Sequence, residues 1–438
     1  MTGKQKTLAM VLLVLLQGCT AKKVASVSED PEVAKRVEKI RKEIEEIRGA
    51  KFKSPVRVSN QSLQDFSGYV EQQLGKQFSD ELNQNYGKVV RMLGLYRGPE
   101  IEDFKAMAKG LMQSQAAAYY DPEKHTFFVV MQNLPEMTMN TIYAHELYHG
   151  FQDQHYDLDG FFLSQVDALN DDELLARQAV VEGEATYLMS LWSLKTLMGS
   201  IPEGQMLDMT ISMQSNMDAA TLATMMKSGM IDKEKMGDME KALEAMDDVP
   251  PFMIELMLGS YMKGQGFVHQ IRKQGWEKVA ELYATPPVSS EQILHPEKWI
   301  SNERPEKIDW PPFERDDFFD NWTLLEGNTL GEIQLRQIFT EHELTEAGKD
   351  AAAGWNGDRY AVLKRKDSDD LLLLLQSAWD TDQDAEEFAA AYRKLLEVKY
   401  QDMPAVAVTV ELNGKSVLIV EGATPGEHRA LINFISGR

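Results

Sequence analysis

The sequence predicts an α+β protein, in which a mainly helical first part precedes a small C-terminal α+β domain with an antiparallel sheet. Apolar residues recur at helical spacing through residues 55–299, with one hairpin pattern among them. Pro305 and Pro311-Pro312, set among many charges, mark a boundary. After this boundary, short apolar runs surround Asn413-Gly414, a pair typical of tight hairpin turns.

The hairpin of the first part is predicted from residues 116–120 and 125–130, which are rich in aromatic and β-branched side chains. Asp121–Lys124 joins them and has the composition of a turn. The second part is predicted to contain a strand pair, a helix, a second strand pair and a closing helix: residues 359–363 with 371–377, a helix from Asp380, residues 406–410 with 416–420, and residues 427–435.

Composition narrows the class of protein. Of the 438 residues, 43% are hydrophobic and 26% are charged, as in ordinary globular proteins. The formal charge of -23 repels phosphate backbones, so we expect no nucleic-acid partner. No apolar run is long enough to predict a spanning helix. A single cysteine excludes an intramolecular disulfide and a multi-cysteine metal cluster.

That cysteine, Cys19, follows a secretory signal pattern. Lys4 and Lys6 precede an apolar run over residues 8–16, and a small residue, Gly18, stands before the cysteine. Residues 16–19, Leu-Gln-Gly-Cys, resemble the lipobox of bacterial lipoproteins, in which the cysteine is acylated and becomes the first residue. The alternative is an uncleaved short signal or a buried free thiol.

The lipobox resemblance implies an exported protein, held in the bacterial cell envelope by fatty-acyl chains such as palmitate on Cys19. Thr20 follows the cysteine where an aspartate would favour retention, which in a diderm bacterium is compatible with the outer membrane, facing the periplasm.

Residues 32–48 alternate opposite charges at helical spacing and predict an exposed helix, either a solvated spacer or a partner helix. We therefore predict four segments: a signal peptide (1–19), a tether with a charged helix (20–54), a helical domain (55–304) and an α+β domain (305–438).

His145-Glu146-Leu147-Tyr148-His149 has the form HExxH. On a helix, residues i and i+4 project from one face, so the two imidazoles can bind one Zn²⁺. Zinc lowers the pKa of its bound water to about 7, and Glu146 can accept the proton as the water attacks a carbonyl. The alternative is an ordinary helix that happens to carry two histidines.

Catalytic zinc usually has three protein ligands, and the residues offer three candidates for the third. His155 stands ten positions after His145, as does the last histidine of HExxHxxGxxH, but Gln152 occupies the glycine position of that pattern. Glu182 and Glu184 lie on a later helical segment and point in nearly opposite directions, so both cannot be ligands.

HExxH followed by Glu182-Gly183-Glu184-Ala185 resembles the gluzincin metallopeptidases, whose third ligand stands in a Glu-Gly-x-Ala context. Residue by residue, this implies His145, His149 and Glu182 as zinc ligands and Glu146 as the general base. Over residues 115–300 the motif order is similar to that of bacterial gluzincin-like proteins of undefined substrate. The shared motifs here are Tyr120-Asp121-Pro122, Gln152-Asp153-Gln154-His155 and residues 291–298. The resemblance implies a zincin-like fold with the hairpin at its edge.

Three further features have predicted roles in supporting the reaction at the zinc site. The hairpin is expected to align an extended substrate at its edge, or to be purely structural. Asp153 is expected either to accept a hydrogen bond from a ligand histidine or to be an exposed helix-end residue. His295 is expected to donate to the oxyanion of the reaction, with a structural histidine as the alternative. Tyr261 and Tyr187 are further candidates for that donor.

Methionine is concentrated in one stretch. Thirteen of the 24 methionines fall between Met206 and Met262, several of them at helical spacing. Thioethers can bind Cu(I), but such a stripe is more often adaptable core or a pliable apolar surface. We expect packing or adaptable binding.

The sequence thus predicts an exported, lipid-anchored zinc metallopeptidase that acts on a peptide or protein substrate. Glu146 and His295 are its predicted catalytic residues, and His145, His149 and Glu182 are the predicted zinc ligands. The alternative from another class is a non-catalytic envelope lipoprotein that binds or scaffolds proteins on a zincin-like frame. A metal-dependent amidase acting on cell-wall peptides would use the same residues.

Overall fold

A computed structural model describes residues 31–77, 80–115, 117–130, 135–217, 221, 249–313, 316–403 and 406–435. The predicted signal peptide with Cys19, the tether up to residue 30, and residues 218–220 and 222–248 of the methionine-rich stretch lie outside these ranges. Within them, no helix combines the length and the apolar character needed to cross a membrane.

The first part is mainly helical. Its elements are α1 (Pro31–Arg48), β1 (Arg57–Asn60), α2 (Leu63–Gln77), α3 (Asp80–Leu93), α4 (Phe104–Gln115), β2 (Ala118–Asp121), β3 (Thr126–Val129), α5 (Glu136–Tyr156), α6 (Leu158–Phe161), α7 (Asp171–Met198), α8 (Gln205–Ser215), α9 (Pro251–Arg272), α10 (Trp276–Ala284), α11 (Ser290–Leu294) and α12 (Pro296–Ile300).

The second part is built on a sheet. Its elements are a 3₁₀ turn (Asp317–Asn321), β4 (Trp322–Asn328), α13 (Gly331–Glu341), α14 (Thr345–Ala352), β5 (Trp355–Arg365), β6 (Leu371–Trp379), α15 (Asp382–Lys399), β7 (Val408–Asn413), β8 (Ser416–Gly422) and α16 (Pro425–Ile435). The strands form a five-stranded antiparallel sheet in the order β4-β5-β6-β8-β7. The prediction of an α+β protein with a C-terminal antiparallel sheet is confirmed.

Both predicted strand pairs of the second part are present, in β5 with β6 and in β7 with β8. The Asn413-Gly414 turn closes the second pair, with Asn413 opposite Ser416 and Gly414 at φ 55°. Glycine adopts this left-handed conformation without steric cost. The helix predicted from Asp380 begins at Asp382, because Thr381 forms a capping box with Asp384.

The predicted hairpin of the first part is also confirmed. β2 and β3 pair antiparallel, with Tyr120 opposite Phe127, and β1 adds to β3 in parallel on the other side. The sequence pattern does not predict β1, because four residues between loops show too little periodicity. Among the described residues β2 pairs with β3 alone, so it is an edge strand of this small sheet.

Helix α1 is packed against the protein along one face, so the expectation of a solvated spacer is wrong. Val37, Ile40, Ile44 and Arg48 recur every three or four residues and are buried. The three apolar residues of this set join the core that also contains parts of β2, β3, α5 and α7. The charged residues between them occupy the outer face, which is why the segment is polar on average.

One hydrophobic core continues across residues 304 and 305, where the sequence predicts a domain boundary. It joins side chains of α2, α3, α4 and α9 with those of α13 and the inner face of the large sheet. Met253 and Met257 of the methionine-rich stretch are buried in this core, whereas Met206, Met209 and Met213 on α8 are exposed. Packing is therefore the role of part of that stretch.

Candidate metal centre

Two helices of the first part present the predicted ligands to each other. α5 carries His145, Glu146 and His149, and α7 carries Glu182. The capping box between Asn170 and Glu173 begins α7. Because both helices are buried over most of their length, the side chains at their contact lie inside the protein. His145, His149 and Glu182 are all buried.

The three predicted ligand atoms converge. His149 Nε2 lies 3.0 Å from His145 Nε2. Glu182 Oε2 lies 3.2 Å from His145 Nε2 and 3.4 Å from His149 Nε2. Ligand atoms around a tetrahedral zinc ion, at bond lengths near 2.1 Å, are separated by about 3.4 Å. The donor set of two imidazoles and one carboxylate therefore fits zinc in both type and spacing.

Gln152 determines which nitrogen of His149 faces the centre. Its amide nitrogen donates to Val181 O at 2.9 Å and to Tyr283 Oη at 2.7 Å, which leaves Oε1 turned toward His149. His149 Nδ1 donates to this oxygen at 2.8 Å. In neutral His149 the Nε2 lone pair is consequently directed at His145 Nε2, an arrangement that requires a proton or a metal ion between the two rings.

In the metal-free centre, a proton occupies the position between the two rings. Burial would lower the pKa of His149, but the adjacent Glu182 carboxylate raises it to about 9. Burial likewise opposes ionisation of Glu182, yet the two histidines hold the pKa of this carboxyl at about 2. At neutral pH the centre therefore contains an imidazolium and a carboxylate, and a metal ion that binds must displace the imidazolium proton.

Glu146 lies beside the centre and is oriented by the hairpin. The Tyr120 N–H, on the edge of β2 that does not face β3, donates to Glu146 Oε2 at 2.9 Å. Glu146 is only partly buried, whereas the ligand side chains are almost fully buried. Burial raises the pKa of Glu146, against the effect of the neighbouring histidines. A carboxyl of this kind can accept and return a proton.

Tyr261 on α9 completes the surroundings of the centre. Its ring stacks on that of His145, with centroids 5.6 Å apart and an interplanar angle of 18°. Its hydroxyl hydrogen-bonds to Glu182, and burial, followed by the charges of Glu182 and Glu146, raises its pKa well above the usual value. Tyr261 was a secondary candidate in the sequence, and the structure brings it to the centre.

A close helix crossing places Tyr261 there. A Cβ atom on Gly183 would lie 2.2 Å from the backbone carbon of Gly264, and one on Gly264 would lie 2.1 Å from Ala179 O. The backbones of α7 and α9 are therefore in direct contact one turn from Tyr261. The glycine of the Glu-Gly-x-Ala motif serves this contact, and no larger residue fits there.

The other candidates for the third ligand point away from the centre. His155 Nε2 donates to Lys51 O at 3.0 Å, and its ring stacks on Phe151. Glu184 accepts hydrogen bonds from Tyr148 Oη at 2.7 Å and from Tyr283 Oη at 2.6 Å. Among the described residues, only His145, His149 and Glu182 bring ligand atoms together at this point of the protein.

Asp153 has neither of its expected roles. It is buried, and its carboxylate accepts from Tyr120 Oη at 2.8 Å and contacts His125 Nδ1 at 2.7 Å. It therefore joins the end of α5 to the hairpin, and Gln152 is the residue that contacts a ligand histidine. The sequence marked Gln152 as the first residue of the Gln152-Asp153-Gln154-His155 motif and as the occupant of the usual glycine position, but neither pattern predicted its contact with His149.

His295 lies between α11 and α12 and contacts the second part of the protein. Its Nε2 lies 3.1 Å from the buried carboxylate of Glu332 on α13, and its Nδ1 lies 3.9 Å from Glu297. The hydrogen bond with Glu332 raises the pKa of His295. These are its partners in the described part of the chain, and its role as an oxyanion donor stays a prediction.

Comparison with known proteins identifies one similarity. Residues 323–431, which comprise most of the second part, match a domain of unknown function, DUF8575. No curated protein and no solved structure is significantly similar to the chain. The match lies outside the segment that carries His145, His149 and Glu182.

Proposed function

We propose that this protein is an exported, lipid-anchored zinc metallopeptidase of gluzincin type. The observation that carries the proposal is the convergence of His145 Nε2, His149 Nε2 and Glu182 Oε2 within 3.0–3.4 Å of one another, with the Glu146 carboxylate beside them. His145, His149 and Glu182 would hold the ion. When bound, zinc supplies Lewis-acid activation of water and of the substrate carbonyl.

The remaining proposed roles are proton transfer and hydrogen bonding to the substrate carbonyl, and side chains of the protein provide both. Glu146, held by the Tyr120 N–H, accepts the proton of the attacking water and returns it to the leaving amine. A hydrogen-bond donor to the carbonyl oxygen is needed as negative charge develops there; Tyr261, whose ring stacks on that of His145, is the candidate beside the centre, and His295 is another predicted donor.

The edge strand β2 supports the proposal of a peptide substrate. β2 pairs with β3 on one side, and its other side faces the Glu146 carboxylate. An extended peptide that runs along this edge would bring a backbone carbonyl to Glu146, which favours peptide hydrolysis. The scaffold alternative is disfavoured because a protein that only binds partners has no need for a carboxylate aligned beside a ligand centre.

The proposed location depends on Cys19. Acylation of this residue would attach the protein to the bacterial envelope, facing the periplasm from the outer membrane in a diderm cell. The tether and α1 would then connect the lipid directly to the domain that carries the centre, since α1 is packed against α5 and α7.

Zinc content tests the metal centre first. The full chain, purified in mild detergent, is compared with Glu182→Ala and with the matched control His155→Ala. We expect about one zinc per parent chain, none with Glu182→Ala, and an unchanged content with His155→Ala. Loss of zinc with His155→Ala, or a parent that takes up no zinc after reconstitution, would overturn the assignment of the centre.

Peptide cleavage tests the reaction. The zinc-loaded parent is incubated with a library of unstructured peptides, and the products are identified by mass spectrometry. Glu146→Gln is the matched control, because it preserves the ligands and removes the base; we expect a rate about 10²–10⁴-fold lower. Equal cleavage by both proteins, or none by the zinc-loaded parent, would contradict the peptidase assignment and favour the scaffold.

A further inference from the structure

We propose that Arg48 on α1 is a positioning residue for the metal centre, which it reaches through Glu184 and Gln152. The inference rests on the zinc site proposed above and goes beyond it, since Arg48 contacts none of the three ligands. It also assigns a function to the helix that follows the tether.

Arg48 is a buried cation, with 6% of its surface exposed. Its Nε donates to Tyr148 Oη and its Nη2 to Tyr156 Oη, both at 2.8 Å. Its guanidinium carbon lies 4.4 Å from the centroid of the Trp276 ring. The guanidinium is thus held in one orientation by α5 and by the first residue of α10.

The counter-charge of Arg48 is Glu184 on α7. The distance from Arg48 Nε to Glu184 Oε1 is 3.5 Å, and both side chains are almost completely buried. In the described part of the chain, Arg48 is the cation recorded within 4.0 Å of this carboxylate. Tyr148 links the two, because its hydroxyl accepts from Arg48 and donates to Glu184 at 2.7 Å.

Glu184 in turn orients Gln152. Its Oε2 accepts from the Gln152 amide nitrogen at 3.2 Å and from Tyr283 Oη at 2.6 Å, and Tyr283 Oη itself accepts from the same amide nitrogen at 2.7 Å. The nitrogen end of the Gln152 amide is therefore directed at acceptors on α7 and α10. The oxygen end is left for His149 Nδ1.

The contacts form a series in which Arg48 contacts Glu184, Glu184 contacts Gln152, and Gln152 contacts His149. If Arg48 is neutralised, Glu184 loses its counter-charge. Among the contacts described above, the neutral hydroxyls of Tyr148 and Tyr283 alone then hold it beside the Gln152 amide, which weakens its contact with that amide. Rotation of that amide would turn its NH₂ group toward His149 Nδ1–H, so the ring would lose the bond that directs Nε2 to the metal. Partners of this kind typically change metal affinity about 10–100-fold.

Zinc affinity of the folded protein separates this role from a purely structural one. The full chain is purified in detergent, and zinc dissociation constants are measured by chelator competition, with the cobalt absorption spectrum as a second readout. The variants are Arg48→Gln, Glu184→Gln and the double variant. Arg41→Gln is the matched control, because Arg41 lies on the same helix and pairs with Glu38 and Glu45 at the surface.

We expect Arg48→Gln and Glu184→Gln each to weaken zinc binding about 10–100-fold and to alter the cobalt spectrum, while Arg41→Gln behaves like the parent. The double variant should bind no more weakly than the weaker single variant, because residues that act in one series are not additive. A residue that only stabilises the fold would lower the unfolding midpoint and leave both readouts unchanged.

Parent-like zinc affinity in folded Arg48→Gln, or a double variant whose loss equals the product of the single losses, would overturn the inference. If Arg48→Gln does not fold, the zinc affinity of Glu184→Gln is the test. Weaker zinc binding than in the parent supports the series of contacts, and parent-like zinc binding overturns it. A parent chain that binds no zinc would refute the proposed function itself, and is distinguishable because every variant would then be equally metal-free.

Discussion

In the described part of the chain, two clusters bring three potential ligand groups to within 4.8 Å of one another: His145, His149 and Glu182, and Glu291, Glu303 and Asp380. In the second cluster the Lys298 ammonium lies 2.6 Å from Glu291, 2.7 Å from Glu303 and 2.6 Å from Asp380. The cation that these carboxylates require is therefore part of the chain.

The first cluster differs in what lies between its ligand atoms. Two imidazole nitrogens face each other at 3.0 Å, and in the metal-free state a single proton on His149 separates them. Its surroundings also differ, since Glu146 and Tyr261 add a base and a hydroxyl donor beside the ligands. Convergence of ligand atoms alone does not define a metal site. The two clusters differ in whether the charge between the ligand atoms is a displaceable proton on His149 or the ammonium group of Lys298, and in the chemistry of their neighbours.

The largest expected effect is a pH dependence of zinc affinity at the first cluster. His149 has a pKa raised to about 9 in the metal-free protein, so it is protonated at pH 6–8 and must release this proton when zinc binds. Glu182 is already ionised and releases none. Affinity should therefore rise about tenfold for each pH unit below 9, or about 100-fold from pH 6 to pH 8.

Chelator competition at both pH values measures the change in zinc affinity, and calorimetry in buffers of different ionisation enthalpy measures the proton released. Zinc affinity that is independent of pH across this range would show that His149 is neutral before the metal binds. The displaceable proton, which is the main difference between the first cluster and the second, would then be absent.

The second expected effect concerns the helix crossing at the first cluster. Gly183→Ala places a methyl group against the backbone of Gly264, which cannot yield, so the free energy of unfolding should fall by about 1–3 kcal/mol or more. Gly110→Ala is the control, because Gly110 lies in the interior of α4 with no atom near its added Cβ. It should stabilise the protein by up to about 1 kcal/mol.

Urea unfolding of the two variants gives the comparison directly. Equal stability changes in Gly183→Ala and Gly110→Ala would mean that α7 and α9 can separate without cost. The motif glycine would then have no packing role, and the position of Tyr261 would need another explanation.

The smallest expected effect tests the second cluster. Lys298→Met removes the internal cation and leaves three carboxylates facing one another, and burial already raises the pKa of Glu291 to about 7 despite Lys298. Because Glu303 and Asp380 are partly exposed, we expect a loss of about 1–2 kcal/mol, below the 3–5 kcal/mol typical of fully buried pairs.

Calcium should restore part of this loss, since oxygen ligands at such a cluster suit a hard cation. Thermal unfolding with and without several millimolar calcium measures this effect. A calcium-dependent midpoint in Lys298→Met but not in the parent would sharpen the comparison. A midpoint in the variant that does not respond to calcium would show that three convergent carboxylates are not sufficient for a site.

Local patterns in the chain were good predictors of local structure. The HExxH spacing placed two imidazoles on one face of a helix, and the turn residues around Asp121 and Asn413 predicted hairpins that are present. The stripe of Val37, Ile40 and Ile44 was visible as well, but the surrounding charges led to the wrong expectation for α1.

What the sequence by itself determined is the direction of side chains within one element. Helical periodicity requires that His145 and His149 point together and that Glu182 and Glu184 point apart. Which of the two glutamates reaches His145 and His149 depends on how α7 is rotated about its own axis, and no local pattern contains that angle. Packing decides it, through the contact of Gly183 with Gly264 and the burial of Glu184 against Arg48.

The same reason explains why the sequence does not predict the contacts that Arg48, Gln152 and Tyr261 make around the centre. Their partners lie far away along the chain, as with the 100 positions between Arg48 and Tyr148 and the 131 between Gln152 and Tyr283. Contacts of this kind form only when separate helices meet. The tertiary structure therefore decided which carboxylate meets the two histidines and which residues surround them, because both depend on the relative placement of helices that the sequence specifies only one at a time.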